Sequence, residues 1–207
     1  MTRMMEPGKP PPPPSDAPAP GGLEALMRSA GAARGLPPLE AWSPPDCGDI
    51  DMRIGRDGTW YYQGSPIGRP ALVKLFAAIL KREGERYVLV TPAEKCGIAV
   101  EDSPFLAVEM AVDDANGPRT LVFRTNVDDV VRCGPDHPLR FETGAGGGLK
   151  PYLHVRRGLW ARLTRPLFYD LVALGEEQPV EGQAMFGIAS GGGFFAMARA
   201  SEIAEPT

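Results

Sequence analysis

Apolar positions alternate with polar ones at Ile50, Met52 and Ile54, with Asp51 and Arg53 between them. A period of two predicts a half-buried strand, and Gly55-Arg56-Asp57-Gly58 then turns the chain into a second strand through Trp60 and Tyr62. From Leu72 the period lengthens. Leu72, Val73, Leu75, Phe76, Ile79 and Leu80 fall on one face of an amphipathic helix, with Pro70 in its first turn and Gly84 expected to end it. Strands are expected over 87–91, 97–100, 105–112, 119–125 and 139–142, separated by Pro92-Ala93-Glu94-Lys95, Asp102-Ser103-Pro104 and Asn116-Gly117-Pro118. This reads as a meander of antiparallel strands.

The plan then repeats. Tyr152, Leu153 and Val155 lead into a turn at Arg156-Arg157-Gly158, a strand follows over 159–163, and Thr164 caps a helix from Arg165 to about Gly175. Two terminal strands, 184–189 and 194–198, are joined by Ser190-Gly191-Gly192-Gly193. Arg56-Asp57-Gly58-Thr59-Trp60 is echoed by Arg156-Arg157-Gly158-Leu159-Trp160, and Arg69-Pro70 by Arg165-Pro166. The chain has 3 tryptophans, so two at matching places weigh more than common residues would. The spacing exceeds the roughly 20 to 50 residues of a solenoid repeat and points to duplication of a hairpin-plus-helix unit. The expected fold is α+β, with two lobes related by internal duplication, each a curved antiparallel sheet with one packed helix. Residues 1–22 read as a disordered proline-rich tail and 23–45 as a short helix and an extended strap around Trp42. The first lobe is expected over 46–142, a glycine-rich linker over 143–150 and the second lobe over 151–207.

Composition narrows the class. With 207 residues, 43% hydrophobic and 23% charged, the chain can build one or two soluble cores. No apolar run approaches the roughly 18 to 20 residues that span a bilayer, and the N-terminus lacks the apolar core of a secretory signal, so a cytoplasmic protein without membrane insertion is expected. The net charge of -4 does not point to a nucleic-acid partner. Cys47, Cys96 and Cys133 are odd in number and widely spaced, so free thiols are expected rather than a disulfide framework. A zinc site joining them to His137 and His154 lacks local ligand spacing.

Several blocks carry a resemblance. Cys47-Gly48-Asp49-Ile50-Asp51-Met52, Ser65-Pro66-Ile67-Gly68-Arg69, Val90-Thr91-Pro92-Ala93-Glu94-Lys95, Phe123-Arg124-Thr125-Asn126-Val127-Asp128-Asp129, Gly134-Pro135-Asp136-His137-Pro138-Leu139 and Ser190-Gly191-Gly192-Gly193-Phe194-Phe195 occur in this order. Over roughly 23–200 the chain resembles the bacterial domain-of-unknown-function family 1285. The resemblance implies a duplicated motif, a second lobe like pleckstrin-homology folds, a ligand site between the lobes and a role in signalling. It brings no activity.

No motif names a reaction. Gly144 to Lys150 lacks the Gly-Lys-Ser/Thr ending of a phosphate loop and precedes a strand. Cys133 and His137 are close in sequence but have no separate orienting residue, so no catalytic residue is assigned. Asp49 with Asp51, and Asp128 with Asp129, read as turn carboxylates before they read as cation ligands. The oddity is Arg-Pro at both helix openings, which puts a cation where the macrodipole favours an anion. Arg69 and Arg165 are therefore expected either to pair with Asp128, Asp129, Glu101 or Asp102, or to grip an external carboxylate or phosphate.

The expected function is non-catalytic and regulatory: binding of a small anionic ligand or a protein partner near the lobe junction, without a cofactor or metal. Candidate ligand-binding residues are Arg69, Arg124, Asn126, Asp128, His137, Trp160 and Arg165. The alternative is an enzyme for a phosphorylated or carboxylated metabolite centred on Arg124, Asn126, Asp128 and His137, which requires those side chains to converge in one pocket. A weaker alternative is nucleic-acid binding through Arg156, Arg157, Arg162 and Arg165 with Trp160, which requires one shared exposed face.

Overall fold

The structure is a computed structural model that describes residues 36–203, with positions 116 and 145 excepted. The proline-rich tail and the helix expected over 23–34 lie outside the described residues. The strap begins with Leu36 and Pro37, makes a short 3-10 turn over Leu39–Ala41, and leaves Leu39 fully buried. Trp42 packs half-buried against the core, and Pro45 O accepts a hydrogen bond from Lys95 N.

Strands β1 (Asp46–Ile54), β2 (Trp60–Tyr62) and β3 (Ser65–Pro66) lead to helix α1 (Pro70–Ile79), then to β4 (Leu80–Glu83), β5 (Arg86–Val90) and β6 (Lys95–Val100). They form one sheet in the order β3-β2-β1-β6-β5-β4. Next come β7 (Phe105–Asp113), β8 (Thr120–Thr125), β9 (Val130–Arg132), β10 (Leu139–Thr143), β11 (Leu149–Arg156) and β12 (Leu159–Leu163), ordered β10-β11-β12-β7-β8-β9. Helix α2 (Arg165–Ala173) precedes a three-stranded sheet of β13 (Glu176–Val180), β14 (Gln183–Ser190) and β15 (Gly193–Arg199), and the short α3 (Ala200–Ile203) follows.

The two-lobed, mostly-sheet architecture matches the sequence reading, but the lobes divide elsewhere. Strands β7 to β10, expected in the first lobe, pair with β11 and β12 in one sheet, so the pairing changes lobe between Val100 and Phe105. The stretch over 143–150 is not a linker: Thr143 ends β10, Leu149 and Lys150 open β11, and the two strands form a hairpin in which Gly144 N donates to Gly148 O at 2.8 Å. The sheets are mixed rather than antiparallel throughout: β1 runs parallel to β6, and β12 parallel to β7. Helix α1 stops at Ile79, short of Gly84, because the chain passes directly into β4, whose hairpin with β5 uses Gly84 at φ 59.

Both hairpin-plus-helix units are present, with Trp60 and Trp160 on the second strand of each. They differ in detail. A five-residue turn, Gly55 to Thr59, joins β1 to β2, whereas Arg157-Gly158 alone joins β11 to β12. The parallel neighbour attaches to the first strand in one lobe and to the second in the other. Trp60 is buried and stacks on Phe76, whereas Trp160 is half-buried under the Arg140 guanidinium, 4.2 Å from its ring.

The buried residues of both lobes form one contiguous cluster, running from Met52, Trp60, Phe76 and Leu89 to Phe105, Phe123, Leu153 and Ile188. Polar contacts reinforce the junction. Arg156 Nη2 donates to Ala77 O at 2.9 Å and Arg157 Nη1 to Ala78 O at 3.3 Å, placing cations at the carbonyl end of α1, where the helix dipole is negative.

Cys47 and Cys96 are joined by a disulfide between the starts of β1 and β6, against the expectation of free thiols. Spacing of 49 residues conceals this, because only the parallel pairing of β1 with β6 brings the two Cα atoms to 5.3 Å. Deleting residues 1–22 is expected to leave the melting temperature unchanged within error, since the segment has no apolar face to bury. A large drop would show that it packs.

Candidate functional site

An opening lies beside β9, at one end of the second six-stranded sheet. Thr125 N donates to Asp129 O at 2.9 Å and Cys133 N to Leu121 O at 2.8 Å, with Val131 opposite Phe123. In this antiparallel register the backbone groups of Val130 and Arg132 point away from β8. Among the described residues no strand is paired on that side. Facing this free edge are Val155 and Arg156 at the end of β11, the Gly134–His137 turn, Gly191 and the strap residue Leu36, around a groove of about 680 Å³. Val130 is 69% exposed and Leu36 54%, so two large apolar side chains stand open at its rim.

His137 lines this groove and starts a column of rings. It stacks on His154 with centroids 5.7 Å apart, His154 meets the edge of Trp160 at 5.1 Å, and Arg140 covers Trp160. Each imidazole places Nδ1 3.2 Å from a backbone oxygen of the other's strand or turn: His137 by His154 O, and His154 by Asp136 O. Burial lowers the pKa of His154 below its ordinary 6.5, opposed by the Asp136 carbonyl. The unfolded chain therefore binds this proton more readily than the native one. The stability is fully present above about pH 6.5 and is lost as pH falls through the interval down to the native value. His154→Gln is expected to flatten the acid side of the stability-against-pH curve, measured by denaturant titration between pH 7.5 and 5. An unchanged slope would mean that His154 does not titrate across unfolding.

The other predicted residues disperse. Arg124 on β8 is held by Glu109, at 2.7 Å from Nε to Oε2, and by Asp128 at 2.9 Å, beside a shallow cavity of about 160 Å³. Asp128 also pairs with Lys74 of α1, and these two cations hold its carboxyl below the usual carboxylate range. Asn126 is fixed by two backbone bonds to Leu106, with Leu106 N to Oδ1 at 3.0 Å, and lines a separate cavity of about 250 Å³ with Gly58, Trp60 and Lys74. A Cβ on Gly58 would come within 2.9 Å of Asn126 Nδ2, and φ is +79° there, so the shared Arg-x-Gly-x-Trp glycine allows a close approach between lobes.

Arg69 and Arg165 do not face one cleft. Arg69 stands exposed before α1 and makes no ion pair or side-chain hydrogen bond among the described residues. Arg165 donates to Tyr169 Oη at 3.1 Å and lines a cavity of about 440 Å³ with Lys150, Arg162 and Thr164. The carboxylates expected opposite them hold other cations: Asp128 holds Lys74 and Arg124, Asp129 holds Arg156, Glu101 holds Arg53, and Asp102 holds Arg162. Nor do Arg156, Arg157, Arg162 and Arg165 share one exposed face with Trp160. Arg156 and Arg157 serve the end of α1, and Arg162 bonds Asp102 and Arg56 O.

Cys133 is buried, and burial pushes its thiol up to about 11, so it is not a thiolate at neutral pH beside His137. Cys47, Glu94 and Cys96 place three donor atoms within 4.8 Å of one another, but in the disulfide neither sulfur is a thiolate ligand. Among the described residues no helix is long and apolar enough to cross a membrane. Sequence reasoning missed the groove residues Leu36, Val130, Val131, Arg132 and Val155. A three-residue edge strand carries too short a pattern to stand out, and nothing local links it to β11.

Two family models divide the chain where the sheets do: the N-terminal domain of a family of unknown function, DUF1285, matches 37–103, and its C-terminal domain matches 104–197. A crystal structure of a DUF1285 family protein from Silicibacter pomeroyi DSS-3 is 47% identical, with a TM-score of 0.78, covering 87% of this chain and 98% of that one. Another, from Shewanella baltica OS155, is 28% identical with a TM-score of 0.49 and covers 60% of this chain and 91% of that one. No curated protein matches the chain. With both domain models matched in order across the sheet boundary, the chain belongs to the domain-of-unknown-function family 1285.

Proposed function

We propose that this chain is a regulatory or signalling protein of the cytoplasm that binds a partner without catalysis, and that the groove beside β9 takes an extended polypeptide. The observation that carries the reading is the dispersal of Arg124, Asn126 and His137 among three separate cavities, with Asp128 lining none of the three. An enzyme needs its polar groups to converge on one reacting centre, whereas Arg124 and Asp128 here neutralise each other. The groove offers a free strand edge and open apolar side chains, the elements of strand addition. The test is a display library of extended peptides against the full chain. Peptides that bind, and that bind at least tenfold more weakly to Val130→Asp, support the reading. A chain that captures no peptide, or binds them equally well after the substitution, would sink it.

A second reading keeps the small anion. The cavity of about 440 Å³ beside α2 carries Lys150, Arg162 and Arg165 and no carboxylate among its lining residues. A screen of phosphates, nucleotides and organic acids by thermal shift tests it. The reading requires a shift that Lys150→Gln with Arg165→Gln abolishes. Duplication of the hairpin-plus-helix unit and a pleckstrin-homology likeness of the second lobe belong to the same proposal. The shared Trp placement supports the duplication, and the differing attachment of the parallel strands speaks against a simple copy.

A further inference from the structure

The disulfide of the first lobe has a third neighbour. A carboxylate oxygen of Glu94 lies with Cys47 Sγ and Cys96 Sγ, the three atoms within 4.8 Å of one another. The backbone of Glu94 is fixed by the turn that leads into β6, where Thr91 N donates to Glu94 O at 3.0 Å and Glu94 N to Thr91 Oγ1 at 3.1 Å. Among the described residues no cation or hydrogen-bond donor takes its half-buried carboxylate, and the cations of β5 and β6 beside it are committed elsewhere. Lys95 holds Glu83 at 2.7 Å, and Arg86 holds Asp46 and Asp49, each at 2.6 Å. The two sulfurs stand in unlike surroundings. Cys96 is 1% exposed within β6, whereas Cys47 is exposed on a bulge of β1, where the step from Asp46 to Asp49 runs beside the shorter one from Lys95 to Gly97. Gly48 carries the bulge at φ 85, with open space within 4 Å of where its Cβ would stand, so Cys47 has room to turn while Cys96 and Glu94 stay in place.

We infer that the reduced pair Cys47 and Cys96, together with Glu94, binds a zinc-type divalent cation at the start of β6, and that oxidation to the disulfide expels it. Thiolates select zinc over the hard cations magnesium and calcium, and two thiolates with one carboxylate leave a tetrahedral zinc a position for water. The inference rests on the cytoplasmic reading in one respect: in that compartment thiols are kept reduced, so the dithiol is the resting state. With hydrogen peroxide as oxidant, each thiolate gives up one electron, the S–S bond forms and the O–O bond breaks. Two protons are taken up and two waters leave. Neither sulfur is then a thiolate, and Glu94 alone does not hold the cation. Either state links β1 to β6, so the exchange alters the charge and ligand on this face while the sheet stays joined.

Cobalt(II) reads the site directly, because thiolate ligation gives it a charge-transfer band in the near ultraviolet. The full chain, reduced with a phosphine and then freed of it, is expected to saturate this band at one equivalent of cobalt and to lose it when zinc is added. Cys47→Ser should lose saturable binding, and Glu94→Gln should keep the band while weakening binding at least tenfold. Cys133→Ala, which changes the buried free thiol, should bind as the parent does. Should Cys47→Ser fail to fold, Glu94→Gln still decides, since it replaces a carboxylate that no residue pairs with. Peroxide added to the zinc-loaded chain should release one zinc for each disulfide formed, followed with a zinc-responsive dye, and a thiol reductant should restore uptake. A reduced chain without a cobalt–thiolate band overturns the inference, as does binding that either Cys47→Ser or Glu94→Gln leaves unchanged. An oxidised chain that keeps its zinc overturns the expulsion. The cytoplasmic reading fails separately: alkylation at lysis would find Cys47 and Cys96 already joined, whatever the titrations of the reduced chain show.

Discussion

Arg156→Ala is expected to destabilise the protein by about 2 to 4 kcal/mol, because it removes the partner of a largely buried carboxylate and leaves that charge behind. Arg156 is 11% exposed and Asp129 23%, and that residual exposure keeps the expectation below the full cost of a completely buried pair. The same guanidinium also donates to Ala77 O at the end of α1 and lies 4.9 Å over the Phe105 ring. Three interactions therefore end together, of which the bond to Ala77 O joins the two lobes. Denaturant titration of Arg156→Ala, Asp129→Asn and the double variant separates the causes. If the stranded carboxylate dominates, the double variant recovers a large part of the loss. If it recovers nothing, the α1 carbonyl and Phe105 contacts carry the effect, and the ion pair is incidental.

Ser190→Ala is expected to cost a similar amount, roughly 2 to 4 kcal/mol, through hydrogen bonds alone. The Ser190 hydroxyl, 1% exposed, accepts from Leu121 N at 2.8 Å and donates to Cys133 O at 2.9 Å. It thus joins β14 to β8 and to the residue that follows β9. Alanine fits the space but strands a donor and an acceptor, each costing about 1 to 3 kcal/mol when buried. Thr in place of Ser should recover most of the loss where its methyl group is accommodated. A melting temperature unchanged by Ser190→Ala would mean that water replaces the hydroxyl, and the three-stranded sheet is then held by packing and by the remaining bonds, such as Gly191 N to Arg119 O at 2.9 Å.

The regular elements were legible where their periods were long. Ile50, Met52 and Ile54 gave β1, the stripe from Leu72 to Ile79 gave α1, and the terminal hairpin around Gly191-Gly192 was found nearly to the residue. Short elements were not. β4 was absorbed into the expected helix because Leu80 continues its apolar face, and the exposed β13 has no apolar period to read. The candidate site fared worse. His137, one of the expected ligand-binding residues, lines the groove, but the groove's opposite wall comes from β11, about twenty residues away, and from Leu36, about a hundred.

By itself the sequence determined what depends on neighbours along the chain: the hairpin turns, the amphipathic helix faces, the echo of Gly-x-Trp and the family to which the chain belongs. Those features follow from the periods of two and 3.6 and from glycine's freedom at positive φ, which are local properties. The tertiary structure alone decided which strands are neighbours. The parallel pairings of β1 with β6 and β12 with β7 moved the lobe boundary, brought Cys47 to Cys96 and set the ends of the second sheet around an open groove. Charge pairing was decided the same way. A carboxylate pairs with the cation that the fold delivers to it, and here Asp128, Asp129 and Asp102 met Lys74, Arg156 and Arg162 rather than the arginines at the helix openings.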